Sequence, residues 1–169
     1  RVAELVGPAS SGRTTVAMAT LAAATARGEV AAWIDAADAF DPASATAAGG
    51  DLDRVLWVRP GDLEKTVRAA ELCLDLCGFG VVVVDLTGAV TARRERTGGK
   101  GKALRLARAV ERADAVALVL AERPWAGALA GVTVALGRGG VEWCGGKHSS
   151  PRWLAGISLR PCIERGGVG

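Results

Sequence analysis

The sequence has 169 residues, half of them apolar, and its 21 lysines and arginines against 18 acidic residues give a formal net charge of +3. This length predicts a single domain, 1–169, with a substantial core, and so small a net charge does not by itself indicate a nucleic-acid-binding protein. Because no apolar run is long enough to span a bilayer and no signal peptide opens the chain, we expect a cytoplasmic protein without membrane contacts.

The cysteines and the single histidine argue against two kinds of chemistry. The four cysteines lack the spacing of zinc ligands, and His148 is the only histidine, so we expect neither a metal site nor histidine-based acid–base catalysis. Cys73 and Cys77 are one helical turn apart on an apolar face and are expected to be buried free thiols.

The first motif is a strand, a glycine-bracketed turn and a helix. The run Val2–Val6 predicts a short strand, Gly7 and Gly12 bracket the turn, and a helical pattern starts at Arg13. The spacing is that of the phosphate-binding loop, Gly-x-x-x-x-Gly-Lys-Ser/Thr, with arginine in place of lysine. In such a loop, backbone N–H groups converge on an anion at the helix N-terminus, and Thr14 would offer its hydroxyl to magnesium. A glycine turn before an ordinary helix is the alternative.

Downstream, apolar runs alternate with helical patterns, which is typical of an open, mainly parallel sheet flanked by helices. The most apolar run, Val81–Val84, ends in Asp85 and predicts a strand at the centre of the sheet. Asp62 is suited to N-cap one helix and Gly78 to end it. In chain order we expect helix 13–27, strand 30–34, a short helix to 48, strand 55–58, helix 63–77, strand 81–84, a mobile loop 87–102, helix 103–112, strand 116–120, a hairpin of 132–136 and 141–143, and an edge strand 157–162.

A basic stretch follows the central strand. Between positions 93 and 102, five basic residues and one acid give a charge of +4, whereas the whole chain carries +3. Phosphate contacts from such a segment give salt-dependent, sequence-independent binding, so we expect contact with DNA, preferably single-stranded. A solvated loop without a partner is the alternative. The predicted DNA-binding residues are Arg93, Arg94, Arg96, Lys100, Lys102 and Arg105, and Arg108 and Arg112 continue the basic face.

Three tryptophans of the C-terminal third, Trp125, Trp143 and Trp153, fall in or beside predicted loops and edge strands. Tryptophan is a favoured anchor at protein interfaces, but it also serves as an ordinary lid on a sheet edge. Both a partner-binding role and a structural role stay open.

Three stretches together resemble the bacterial RecA recombinases. The loop Gly-Pro-Ala-Ser-Ser-Gly-Arg-Thr-Thr, 7–15, is similar to the family's Gly-Pro-Glu-Ser-Ser-Gly-Lys-Thr-Thr. The stretch 33–42, Trp-Ile-Asp-Ala-Ala-Asp-Ala-Phe-Asp-Pro, is similar to its Phe-Ile-Asp-Ala-Glu-His-Ala-Leu-Asp-Pro, and 81–85 matches its Val-Ile-Val-Val-Asp strand. The resemblance runs from Val2 to about Trp143 and implies a RecA-like core with a C-terminal antiparallel hairpin. The family's N-terminal helix and strand are not in this chain, so we expect a domain that lacks that segment.

The departures from the family pattern concern its catalytic parts. Arg13 replaces the lysine and keeps the charge, but a planar guanidinium does not reproduce a compact ammonium. Ala37 stands where the family carries the glutamate that activates water, whereas Asp85 keeps the magnesium-side acid. The Asn-Gln sensor is replaced by 120–123, Leu-Ala-Glu-Arg, and the second DNA-binding loop is much shorter. The resemblance therefore implies a degenerate, vestigial nucleotide site, with no catalytic residue, formed by Gly7, Ser10, Ser11, Gly12, Arg13, Thr14, Thr15 and Asp85.

The short second loop and the basic, Arg/Gly-rich C-terminal tail, Arg138 through Arg165, resemble the ImuA-type RecA-fold proteins of mutagenic translesion-synthesis cassettes. The resemblance implies a non-catalytic accessory protein of the SOS response that binds DNA, translesion polymerase components and RecA itself, without a cofactor. Two alternatives stay open: a P-loop ATPase of the RecA class that uses ATP and magnesium through an altered phosphate loop, and a RecA-fold regulator of cell division that binds only protein.

Overall fold

The computed structural model describes residues 1–88, 99–146 and 151–166. The strands in this part of the chain are β1 (Val2–Val6), β2 (Val30–Asp35), β3 (Val55–Val58), β4 (Phe79–Asp85), β5 (Val116–Ala121), β6 (Val132–Gly145) and β7 (Arg152–Gly166). The helices are α1 (Arg13–Ala26), α2 (Pro42–Ala47), α3 (Leu63–Asp75) and α4 (Gly99–Arg112).

One sheet contains all seven strands in the order β3-β2-β4-β5-β1-β6-β7. Strands β1 to β6 run parallel to one another, and β7 alone is antiparallel, paired with β6. The valine run of β4 lies between β2 and β5, where both of its faces are covered, which explains its continuous apolar sequence. The predicted mainly parallel, RecA-like α/β sheet with a C-terminal antiparallel pair is confirmed.

Helices cover both faces of this sheet. On one face, α1 and α2 pack around Leu21, Trp33 and Phe40. On the other face, α3 and α4 pack over Val82, Val84 and the alternate residues of β5. Strands that enter the sheet in parallel bring their carboxyl ends to one edge, and ligands bind at this edge in open α/β folds. Within the described residues, no helix is both long and apolar enough to cross a bilayer.

Side-chain caps fix two of the helix starts. The Asp62 carboxylate accepts from the N–H of Lys65 at 2.8 Å, as predicted, and begins α3. Asp41 accepts from Ala43 and Ser44 and begins α2. Because a capping carboxylate satisfies N–H groups that the first turn leaves unbonded, both aspartates have a structural role.

The structure corrects three details of the predicted elements. Helix α4 begins at Gly99 rather than Ala103, so Lys100 and Lys102 belong to a helix and not to the loop 87–102; residues 89–98 of that loop lie outside the described residues. Strand β6 continues through 137–140, where a turn was predicted, and absorbs the glycines in an irregularity of register. Cys73 is buried as expected, but Cys77 follows the end of α3 and is exposed.

Candidate functional site

The turn after β1 has the backbone of a phosphate-binding loop. Ser10 and Gly12 adopt left-handed conformations, with φ of 59° and 88°, and Gly12 precedes the first residue of α1. The Gly7 N–H donates to the Ala121 carbonyl at 3.3 Å, and the Ser11 N–H donates to the Pro8 carbonyl at 3.2 Å. These bonds fix the turn at the carboxyl edge of the sheet, with the positive end of the α1 dipole facing it.

Two polar groups of this loop are buried without a partner. Ser11 is 1% exposed and Arg13 is 5% exposed, and neither the Ser11 Oγ nor the Arg13 Nη1 has a hydrogen-bond partner. Buried polar atoms are nearly always bonded in folded proteins, so unbonded ones require an explanation. An anion held by the loop would satisfy both groups, although the Nε1 atoms of Trp33 and Trp125, away from the loop, are buried without a partner among the described residues as well. The phosphate-binding part of the site therefore fits its ligand, whereas Thr14 and Thr15 are exposed to solvent.

Asp85, at the end of the central strand, lies close to Arg13 and to Asp35. It is 2% exposed, and its Oδ1 accepts from the Thr87 N–H at 2.9 Å. Burial raises the pKa of the Asp85 carboxyl above its ordinary value, and the charge of Asp35 acts in the same direction. The Thr87 bond and the charge of Arg13 act against this rise. The guanidinium thus partly neutralises an acid that, in the resemblance, serves magnesium.

The acids of the β2 end and of the loop that follows it are engaged in structural contacts. Asp35 accepts from the N–H groups of Ala39 and Phe40 and from Trp57 Nε1, at 3.0, 2.8 and 3.2 Å. Its carboxylate is thereby committed to holding the loop, and Ala37 lies exposed within it. The nearest acid along the chain, Asp38, contacts Arg59 at 3.4 Å, on the surface. Ala37, which stands where the RecA family carries a glutamate, has only a methyl side chain.

A buried glutamate on β1, which the sequence pattern did not identify, secures the connection between β5 and β6. Glu4 is fully buried. Its Oε1 accepts from the N–H groups of Trp125 and Ala126 at 2.8 and 2.6 Å, and its Oε2 accepts from Thr133 Oγ1 at 3.1 Å. The only sequence signal was an acid inside an apolar run. The short segment that stands in place of a long second loop is therefore held by one carboxylate.

The predicted DNA-binding residues divide into three groups. Arg93, Arg94 and Arg96 lie outside the described residues. Lys100 is exposed at the start of α4. Lys102 and Arg105 project toward α3, where Lys102 Nζ is 3.1 Å from Glu64, and Arg105 contacts Glu64 at 2.7 Å and Glu71 at 2.6 Å.

The charges of α4 are thus largely compensated by α3. The acids of α3 raise the pKa of Arg105 above its ordinary value, chiefly through hydrogen bonds from its guanidinium to Glu71 and Glu64. Arg112 likewise bonds Asp75 at 2.8 Å, whereas Arg108 is exposed. A phosphate at this face would compete with carboxylates for Lys102 and Arg105. The helix consequently offers less positive potential than the sequence indicates.

The pair β6–β7 extends past the phosphate loop and contacts it. Arg138 Nη2 donates to the Ala9 carbonyl at 3.0 Å. The Leu159 side chain lies so close to Gly12 that a Cβ there would be 2.5 Å from it. Between the loop and β7 lies a cleft of about 450 Å³, lined by Ser10, Gly12, Thr15, Leu154, Ala155, Gly156, Ile157 and Leu159.

Comparison with known proteins agrees with this geometry. The model of the RecA N-terminal domain family matches residues 1–119. The chain is 41% identical over 103 residues to protein RecA of Levilactobacillus brevis, which covers 61% of this chain and 27% of that protein. It is 40% identical over 101 residues to protein RecA of Lactobacillus delbrueckii subsp. bulgaricus, which covers 60% of this chain and 30% of that protein. For protein RecA of Corynebacterium jeikeium the identity is 39% over 101 residues, 60% of this chain and 27% of that protein. The chain thus matches less than a third of the length of these relatives.

Proposed function

The chain belongs to the RecA N-terminal domain family, and we propose that it is a non-catalytic accessory protein of the DNA-damage response that binds DNA. The observation that carries this proposal is Ala37: the loop after β2 is held in place by Asp35, yet it presents no acid toward an attacking water. Phosphoryl transfer depends on a group that orients the nucleophile. A RecA core without that group is suited to be a scaffold.

The phosphate loop has a reduced role in this proposal. The residues that would hold a nucleotide are Ser11, Arg13 and the loop backbone, and Thr14 and Asp85 would face its magnesium. Bound ATP with magnesium would supply the transferable phosphoryl group. The side chains of this chain can bind and orient phosphates, but none described here can take a proton from water at position 37. We therefore expect no efficient hydrolysis.

The basic segment is the proposed contact with DNA. Arg93, Arg94 and Arg96 are the leading candidates, because Lys102 and Arg105 are already paired with the acids of α3. Lys100, at the exposed start of α4, would join them. Such contacts neutralise phosphates without reading bases, so binding would weaken steeply with salt. As protein partners we propose translesion polymerase components and RecA itself, by analogy with ImuA-type proteins.

Fluorescence anisotropy with labelled single- and double-stranded DNA, across salt and with or without magnesium-ATP, tests the proposal. We expect binding that is indifferent to ATP and is lost when Arg93, Arg94 and Arg96 are replaced by glutamate. A control with Arg27→Glu, Arg54→Glu and Lys65→Glu changes the net charge equally at exposed ion pairs elsewhere and should keep most of the affinity. Equal losses in both triple variants would remove the basic segment from the site, and no DNA binding at all would favour a regulator that binds only protein.

A working P-loop ATPase is the second candidate, because the unpartnered Ser11 Oγ and Arg13 Nη1 favour a bound anion. Calorimetric titration with magnesium-ATP and a steady-state turnover assay decide between the two. We expect neither micromolar binding nor turnover in the natural chain. Turnover by the natural chain that is abolished in Asp85→Asn would establish the ATPase instead, and Arg108→Gln serves as the matched control.

A further inference from the structure

The ribbon, here residues 137–145 and 152–160, extends beyond the rest of the sheet. Strand β1 pairs with β6 only at 132–135, so the remainder of β6 is paired on one side alone, with β7. Four of its large apolar side chains, Val141, Trp143, Leu154 and Ile157, are between 50% and 59% exposed. An exposed apolar surface of this extent on an edge ribbon points to a binding function.

Strand register places these four side chains on one face. Val141 is opposite Ile157, and Trp143 is opposite Leu154. Val141 and Trp143 are two residues apart on β6, and directly opposed residues share a face, so all four point the same way. Arg152 belongs to the same face, because its guanidinium lies over the Trp143 ring at 5.8 Å from the centroid. We call these five residues the ribbon face.

The ribbon face carries a positive charge that no acid offsets. Arg152 forms no ion pair with a carboxylate of the described residues, in contrast to Lys102 and Arg105 on α4. The one acid of the ribbon, Glu142, is opposite Gly156 and on the other face. A tryptophan backed by an arginine and flanked by aliphatic side chains offers a stacking surface and a cation side by side.

We propose that the ribbon face binds single-stranded nucleic acid, with an unpaired base stacked on Trp143 and a neighbouring phosphate at Arg152. Stacking on aromatic side chains combined with positive charge is how single strands are bound without sequence preference. Trp143 is 54% exposed beside Arg152, so part of its ring is available for stacking. Val141, Leu154 and Ile157 would pack against adjacent bases and sugars. This site is separate from the basic segment and rests on the proposed function only in requiring affinity for DNA.

Charge complementarity favours a nucleic acid over a protein as the occupant. A protein partner would bury Arg152 beside apolar groups and would have to bring a carboxylate to it, because burying an unpaired charge is unfavourable. A single strand supplies a phosphate at every nucleotide. Paired bases of a duplex are not available for stacking, so the proposal also predicts preference for single strands.

The test measures binding of a fluorescently labelled oligothymidylate of about 15 nucleotides and of a duplex of equal length, at low salt. We expect Trp143→Ala to weaken single-strand binding about tenfold, the effect of losing one stacked base, and to leave duplex binding unchanged. Trp143→Phe should restore most of the affinity. The matched control is Trp153→Ala, since Trp153 is 57% exposed and lies opposite Cys144, on the other face; its effect should stay within about twofold. Arg152→Gln should lower the salt dependence of single-strand binding, because it removes one phosphate contact.

Several results would overturn the proposal. Equal effects of Trp143→Ala and Trp153→Ala, or none from either, would remove the ribbon face from the DNA site. A change in sedimentation mass with unchanged DNA affinity in Trp143→Ala would identify a protein interface instead. If the natural chain binds no DNA, this inference and the proposed function both fail. If binding is lost only on reversing Arg93, Arg94 and Arg96, the inference alone fails.

Discussion

Two neighbouring loops at the carboxyl edge of the sheet differ in the hydrogen bonds of their buried charged groups. In the β5–β6 connection, the carboxylate of Glu4 accepts from two N–H groups and a hydroxyl. In the phosphate loop, the Ser11 Oγ and the Arg13 Nη1 are equally buried and have no partner. The charged group of the first loop is fully bonded, although the Trp125 Nε1 of the same connection is buried without a partner in the described part of the chain. In the phosphate loop the unbonded atoms include the charged group itself. The hydrogen bonds of the buried charge, and not its burial, therefore distinguish the two loops.

The largest expected effect on stability comes from removing the Glu4 carboxylate, which binds the β5–β6 connection. Glu4→Ala leaves two buried N–H groups and the Thr133 hydroxyl without an acceptor. Because each unsatisfied buried donor costs about 1–3 kcal/mol, we expect a loss of roughly 3 kcal/mol or more in the free energy of unfolding. Urea denaturation measures it. The replacement Glu4→Gln keeps an acceptor and should recover part of the loss; identical losses in the two variants would mean that packing, not hydrogen bonding, holds the connection.

A smaller effect on stability is expected from replacing Arg13 of the phosphate loop, although Arg13 is nearly as buried as Glu4. Arg13→Met removes an incompletely bonded guanidinium and replaces it with an apolar side chain of comparable length. In the segment 1–88, Arg13 forms no ion pair with Asp85, and its charge is the weakest of the influences on the pKa of that carboxyl. Because the cost of an unpartnered N–H is removed as well, the change in unfolding free energy should stay within about 1 kcal/mol. A loss as large as that of Glu4→Ala would show that Arg13 is a structural group, contrary to the comparison.

The smallest effect is a pH-dependent one at Asp85. Because burial raises its pKa in the folded state, the unfolded chain releases this proton first as pH rises, and stability falls between the ordinary pKa and the raised one. Asp85→Asn removes that fall. The variant should match the natural chain at about pH 3 and exceed it in stability at about pH 7, as measured by urea denaturation. Thr66→Ser, on α3, serves as a control without a titrating group. An advantage that is greater in acid would contradict the sign of the pKa shift.

Local features of the sequence predicted much of the fold. The valine run ending in Asp85, the capping Asp62 and the glycine spacing of the phosphate loop each follow from local backbone and burial requirements. They appear in the structure where expected. The three stretches that resemble the RecA family, 7–15, 33–42 and 81–85, all lie within the residues 1–119 that the family model matches.

The features that sequence analysis missed depend on long-range partners. Glu4 lies 121 and 122 positions from the N–H groups that it binds, so no local pattern could show that its burial is compensated. The sequence indicated that Lys102 and Arg105 form a free basic surface, but in the fold they are paired with Glu64 and Glu71 of α3. The glycines of 137–140 are typical of a turn, but β6 continues through them, with an irregularity of register between Arg138 and Val141. DNA contact by the basic segment stays a prediction.

Two contacts at the base of the ribbon attach it to the phosphate loop. These contacts are the Arg138–Ala9 hydrogen bond and the packing of Leu159 against Gly12. From Arg138 to Trp143 the strand is roughly 16 Å long at about 3.3 Å per residue, so a tilt of about 5° at the base would displace Trp143 by about 1.5 Å. A rearrangement of the phosphate loop would therefore be transmitted to the ribbon through these two contacts.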